Sequence, residues 1–499
     1  MNFHTTKRSI SILLLAALLG SLAVSCGKSE ANADTTVTSD SMSAALTNAT
    51  HDANGYLLDK IPDELDFGGE TVTILGWNHY DTVEFDVDEE TGEVVNDAYY
   101  TRNRRVEERL NVKLEFLEAL GRNGQTDFTD RITKSVMADA GDYDLTAGYS
   151  LNVSTAAFSG LFCNLLDVKY LDFSNPWWSR QMVDSMTIAD ALFFITGDIC
   201  TSSFSRMQGI FFNMELLENY KLENPYELVV DGTWTLDKMF AMTAGLYKDL
   251  NGNNVKEEAD QFGFTSDKVQ FQPTLFTSGL RAVETNESGK LVLSPLILGE
   301  RAMDVLSKIA GYVHTSPDTI IIFQTDDCTA FYDGRSLFHA FPLAMISDEQ
   351  IRSAKFNYGF VPWPKYEEKD PYVVVHSNAY SLWSIPLDAS NVEMSGALLE
   401  VMSSEGHRTI APAVFETAYK VKYNTDESNL QSQIFDEMRA SILVDAGRMF
   451  SRTLPFSIMD NFAMTIVDNR ENWMSTIAAN KEALEKRLDE IYEICKENS

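Results

Sequence analysis

Asp249, Asn251, Asn253, Val255, Glu257 and Asp260 stand at positions 1, 3, 5, 7, 9 and 12 of a twelve-residue stretch. Five of them carry side-chain oxygens and Val255 can offer its carbonyl, which is the ligand order of a calcium-binding loop. Position 6 is Asn254 where such loops carry glycine, although asparagine tolerates the left-handed conformation. Position 12 is Asp260, shorter than the usual glutamate. The chemistry expected here is a structural Ca²⁺ clip; the alternative is a hydrophilic Asn/Gly turn. The sequence demands no other cofactor. It has no G-x-S-x-G, H-E-x-x-H, P-loop or G-x-G-x-x-G motif. Its seven histidines are widely spaced, and His4 lies ahead of the first apolar run. Carboxylates abound, 74 in all, so a glycosidase-type acid pair is not excluded by counting. Cys163, Cys200, Cys328 and Cys495 are scattered without CxxC spacing, which argues against a metal cluster. A Cys163–Cys200 disulfide and four buried free thiols both remain open, because free cysteine behaves as a small hydrophobe.

The elements that would position such residues are legible. Thr71 to Trp77 is a β-branched run and predicts a buried strand. Val95, Tyr99, Val106 and Leu110 share one face of a helix. Val112, Leu114 and Phe116 alternate with Lys113 and Glu115 as a second strand. Phe128, Ile132, Val136 and Ala140 recur every four residues, with Gly141 as the expected C-cap. Tyr143 to Ala147 is the expected third strand. The order β-α-β-α-β predicts a parallel sheet flanked by helices. Ligands of such sheets sit beyond the carboxyl ends of the strands, here Trp77-Asn78-His79-Tyr80 and Gly148-Tyr149-Ser150. Thr233 or Thr235 should cap a helix, and Ser390 to Glu393 reads as a capping box. The last helix carries the stripe Trp473, Ile477, Leu484, Leu488 and Ile491.

With 44 % hydrophobic and 11 % aromatic residues the body is globular, and 499 residues suggest two or three domains. Lys7 and Arg8 precede an apolar run from about Ile10 to Val24, too short for a comfortable membrane span and suited to a secretory signal. Ala23-Val24-Ser25-Cys26 resembles the lipobox of bacterial lipoproteins, with Ala23 in place of the usual leucine. That resemblance implies removal of residues 1–25, lipidation of Cys26 and attachment to the outer face of a membrane. Residues 27–55 are rich in Ser, Thr, Ala, Asn and Asp and read as a flexible leash. Losing Lys7 and Arg8 and no acid moves the formal charge from −34 to −36. A chain this acidic repels nucleic acid and anionic lipid.

Several segments together resemble the extracellular solute-binding proteins of bacterial ABC transporters, in the maltose- and oligosaccharide-binding branch. They are the lipobox and leash, Tyr143-Asp144-Leu145, Phe212 to Leu217, Gly232-Thr233-Trp234-Thr235, and Tyr358 to Lys365. Met214 departs from the basic residue usual at its place. Pro412 to Glu416 and Lys420 to Tyr423 resemble a clostridial-type subgroup. The resemblance implies a periplasmic-binding-protein-like, type II α/β fold, with two lobes, a hinge and an interlobe cleft. Residues 26–65 would be the lipidated cysteine and linker. Residues 66–199 plus 371–418 would form lobe 1, and 200–370 plus 419–499 lobe 2. Crossings are expected near Asp198–Thr201, Pro362–Asp370 and Tyr419–Tyr423.

The implied function is capture of a carbohydrate, in a protein expected to be monomeric, and delivery to a membrane permease without chemistry. Aromatic rings cover the apolar faces of sugars, while Asp, Asn and Arg bond their hydroxyls. The implied ligand contacts are Trp77, Asn78, Tyr149, Ser150 and Asn152 from lobe 1, with Trp177 or Trp178 and Asp198. Phe276, Phe341 and Phe456 are the weaker placements from lobe 2. The rival readings are the same fold binding peptides or another solute, a surface glycoside hydrolase, and a sensory lipoprotein feeding a histidine kinase.

Overall fold

A computed structural model describes residues 50–78, 84–322, 329–414 and 428–499. Cys26, the expected signal, residues 27–49 of the expected leash, Cys328 and the expected crossing at Tyr419–Tyr423 lie outside the described residues. The chain divides into two units, Met1–Leu58 and Asp59–Ser499. In the first, the Asp52 carboxylate accepts the N–H groups of Asn54 and Tyr56 and folds a tight turn.

Strand β1 (Glu70–Trp77) leads to α1 (Val94–Leu110), β2 (Val112–Ala119), α2 (Asp127–Ala138), β3 (Leu145–Tyr149) and α3 (Ser150–Ala157). β1 pairs in parallel with both β2 and β3, as the β-α-β-α-β order requires. Val72, Ile74 and Leu75 are fully buried because β1 is an inner strand covered on both faces. The third strand starts two residues later than expected. Asp144 is spent on its neighbour: its N–H donates to the Thr73 carbonyl and its carboxylate accepts the Thr73 N–H. Helix α2 also stops early, because Asp139 takes the left-handed cap at φ 51°. Gly141, the expected cap, instead donates its N–H to Asp388.

The second sheet is built from β4 (Gln208–Asn213), β5 (Phe262–Asp267), β8 (Thr319–Ile322), β9 (Ser336–Pro342) and β10 (Tyr358–Pro362). Its order is β10-β4-β9-β5-β8, with β5 parallel to β8 and β9 and the other pairs antiparallel. The hairpin of β6 (Val283–Thr285) and β7 (Leu291–Leu293) stands apart. Thr235 caps α4 (Leu236–Thr243) by accepting the Lys238 N–H. Helix α5 (Glu300–Thr315) follows β7. Strand β11 (Ser381–Ser384) returns to the first sheet, antiparallel to β3. The next helix, α6 (Val392–Arg408), is capped by Asn391 rather than by a box from Ser390. Ser390 bonds Asp144, and Glu393 pairs with Lys169, so neither is free to close the box. Helices α7 (Ser428–Ala440), α8 (Ala446–Met449), α9 (Ile458–Val467) and α10 (Trp473–Glu497) complete the chain. α10 buries the expected stripe and Cys495 with it. Cys163, Cys200 and Cys495 are unpaired thiols. Burial pushes Cys200 up to about 12 and Cys163 up to about 11.

Two segments run between the sheets side by side. The first spans residues 195–207, bridged to Trp383 at Ile195 and to His376 at Met207. The second begins at Val373, after residues 363–370, in which Glu367 and Asp370 pair with Arg301 of α5. Gln208 N–H donates to the Val375 carbonyl at 2.9 Å, and Ser377 N–H to the Arg206 carbonyl at 2.7 Å. α6 packs against the first segment at Gly406, where a Cβ would sit on the Asp198 carbonyl oxygen. Gly406→Ala is therefore expected to cost about 1–3 kcal/mol by overpacking. Urea unfolding checks this; an unchanged midpoint would mean the contact is loose.

Candidate functional site

Where the two segments pass between the sheets there is a cleft of about 900 Å³. Three strands point their carboxyl ends at it: β3 with Tyr149, β5 with Asp267, and β9 with Phe341. Arg206, Ser377 and Asn378 enter from the crossing segments, and Arg452 and Asp460 from beyond α8. The lining thus combines aromatic rings (Tyr149, Tyr332, Phe341) with amides, carboxylates and guanidinium groups.

Phe341 and Tyr149 are each backed by other rings. Phe341 stacks on His339 at 18°, the two being alternate residues on one face of β9, and His339 stacks at 26° on Phe331, which comes from the short helix Thr329–Tyr332. His339 is fully enclosed, and burial pushes it down to about 4, so it stays neutral. Tyr149 meets Trp77 edge-on at 5.2 Å, and the Arg452 guanidinium lies over the Tyr149 ring at 5.4 Å. Arg452 also donates to Asn123 and Asn152.

The polar floor is a connected network around Arg448. Its Nε donates to the His376 carbonyl at 3.0 Å, one Nη to Gln272 at 2.8 Å and the other to Gln208 at 3.3 Å. Gln272 in turn donates to Asp460 at 2.6 Å. Gln208 donates to Gln270 at 3.0 Å, and Gln270 to Asp267 at 3.2 Å. His376, pushed down to about 4 by burial, faces the Ser203 carbonyl and ties the two crossing segments together.

Of the residues expected at the site, the cleft gathers Tyr149 and Phe341. Trp77 stands behind it, donating its ring N–H to Ser381 at 2.8 Å. Asn78 is held by Gly121 N–H and Arg122, since the loop after β2 closes over the end of β1. Ser150 bonds the Asn378 carbonyl, and Asn152 reaches Gly121 and Arg452. Both act as supports beneath the rim. Trp177 is fully buried with no acceptor for its ring N–H, and Trp178 donates to Glu400, so neither faces the cleft. Asp198 is buried in an ion pair with Arg439 at 2.6 Å and bonded to His407. Phe276 is wholly in the core, and Phe456, half-buried, does not line the cleft.

The Asp249–Asp260 loop folds onto itself. Asp249 accepts the N–H groups of Gly252 and Asn254, Asn251 that of Asn253, and Asn253 that of Val255. The amide groups of Asn251 and Asn253 both turn to Glu257, and buried Asp260 accepts from Leu250 and Tyr247. Asn254 does adopt φ 57°. Among the described residues no group of three or more His, Cys, Asp or Glu is placed to hold a metal ion.

Sequence reasoning missed Arg206, Asp267, Gln270, Gln272, Tyr332, Arg448, Arg452 and Asp460. None lies in a motif, and only the tertiary fold brings them together.

No protein-family model matches the chain, and no curated protein matches its sequence. Solved structures do. An ABC substrate-binding protein of Listeria monocytogenes, in complex with cycloalternan, aligns over 85 % of this chain and 98 % of its own, at 12 % identity and a TM-score of 0.52. A cyclo/maltodextrin-binding protein complexed with maltotetraose aligns over 85 % and 96 %, at 13 % identity and 0.53. The cyclic α-maltosyl-1,6-maltose binding protein of Arthrobacter globiformis aligns over 86 % and 100 %, at 13 % and 0.53. The chain has the type II periplasmic-binding-protein fold. In that fold the two sheets are the centres of two α/β lobes, and the cleft is the interlobe cleft.

Glu400, the partner of Trp178, yields a testable pH effect. Burial raises its carboxyl to about 7, against the lowering effect of donors from Asp172, Trp178 and Asn175. The folded chain therefore holds this proton more tightly than the unfolded chain. Stability from this group is full below about pH 4.5 and lost as pH rises through about 7, by up to about 3 kcal/mol. Glu400→Gln is expected to flatten that part of the melting-temperature profile between pH 5 and pH 8. Parallel profiles for both proteins would refute it.

Proposed function

We propose that this protein is the lipid-anchored solute-binding component of an ABC importer and that it captures a carbohydrate, preferentially an oligosaccharide. The observation that carries this reading is the composition of the interlobe cleft. Aromatic platforms from both lobes, Tyr149 and Phe341, stand beside amides and carboxylates suited to hydroxyl groups. A volume of about 900 Å³ lies at the upper end of small-molecule sites and leaves room for several sugar rings. The fold supports it, as do the sugar ligands bound by proteins sharing that fold.

Binding would shift the population toward a closed arrangement of the lobes, with residues 195–207 and 373–380 as the moving joint. The permease would distinguish closed from open, and no bond would be made or broken. Cys26 would carry the lipid on the outer face of the membrane, and residues 27–55 would leave the lobes free to reach the permease. Among the described residues no helix is long and apolar enough to cross a membrane.

The test is a thermal-shift screen against mono- and oligosaccharides and short peptides, followed by calorimetry. An oligosaccharide should raise the melting temperature without being consumed. A rise with peptides alone, or hydrolysis of the glycan, would overturn the reading. For the ligand that binds, Phe341→Ala should weaken affinity roughly tenfold through loss of its stacking platform. Trp178→Phe should leave affinity within about threefold. For the anchor, Cys26→Ser should abolish incorporation of labelled fatty acid, and continued labelling would place the lipid elsewhere.

A further inference from the structure

The acceptors that meet the buried Arg448 side chain are a backbone carbonyl and two carboxamide oxygens, and none is a carboxylate. A buried guanidinium can only donate, so each amide touching it must turn its oxygen inward. Gln272 then has only its NH₂ group to offer outward, and that group meets Asp460. Gln208 likewise offers its NH₂ group to Gln270, whose own NH₂ group meets Asp267. Reversing any of these amides would set donor against donor on its side toward the arginine and acceptor against acceptor on its side toward the carboxylate. Both chains therefore run one way, from the cation to a carboxylate on the cleft lining. The charge that is not neutralised by direct contact is answered through polarised amides.

We propose that Arg448 is the positioning residue of the cleft: it fixes the direction of both chains, so that each ends in an N–H that holds Asp267 or Asp460 in place, and these two acceptor groups select ligands by their donors. The last step rests on the carbohydrate reading, because hydroxyl groups are the donors a sugar would bring. The orienting role of Arg448 does not depend on that reading.

The experiment is a double-mutant cycle on the detergent-solubilised full chain, with maltotetraose as the probe. In the ligand-free protein, Asp460→Ala should lower the melting temperature by at least about 1.5 °C more when Arg448 is present than in the Arg448→Met background. The first-turn effect of Asp460 on α9 is common to both backgrounds and cancels. Gln272→Met should abolish the Asp460 coupling while leaving that of Asp267→Asn intact, because it cuts one chain only. This variant keeps the test open if Arg448→Met does not fold, and general destabilisation would not separate the two carboxylates. With maltotetraose, Asp460→Ala should cost about tenfold in affinity when Arg448 is present and under about threefold in the Arg448→Met background. Equal effects of Asp460→Ala in all backgrounds would overturn the proposal. If the wild-type chain does not bind maltotetraose, the ligand-free cycle still decides the role of Arg448, and the loss falls on the carbohydrate reading alone.

Discussion

The pairing of two crossing segments, through Gln208 with Val375 and Ser377 with Arg206, is the constraint on which the architecture depends. It fixes how two separate sheets stand to each other, and so where the ends of β3, β5 and β9 converge. Backbone hydrogen bonds suit that task, because they hold register while allowing the segments to flex at their ends. His376 adds a side-chain tie to Ser203, and buried Arg448 grips the carbonyl of the same histidine.

The cleft grows from this joint. A cleft of about 900 Å³ between two sheets needs rings that hold their orientation and polar groups that hold their polarity. The Phe331–His339–Phe341 ladder supplies the first. The amide chains anchored at Arg448 supply the second. In both, a residue out of reach of a ligand determines what a residue on the surface can do.

The residues expected to bind and found elsewhere share one feature: their types were right for a site and equally right for the interior. Trp177, Trp178 and Phe276 are large enough that burial is their ordinary fate. Asp198 sits in a crossing segment, as expected of it, yet its carboxylate is engaged by Arg439 and His407. Trp77 and Asn78 do follow the first strand, but that strand is an inner one and the loop after β2 covers its end.

By itself, the sequence determined the local elements. The β-branched run at Thr71, the four-residue repeat of α2, the Thr235 cap and the stripe of α10 each follow from periodicity or capping, which neighbours in the chain decide. The β-α-β-α-β order likewise implied a parallel sheet, because parallel strands need a crossover between them. What only the tertiary structure decided is which side chains share the cleft. Arg448 meets Gln272 across 176 positions and Gln208 across 240. No local pattern marks such a contact, because the hydrogen bonds that create it exist only after the lobes have been brought together.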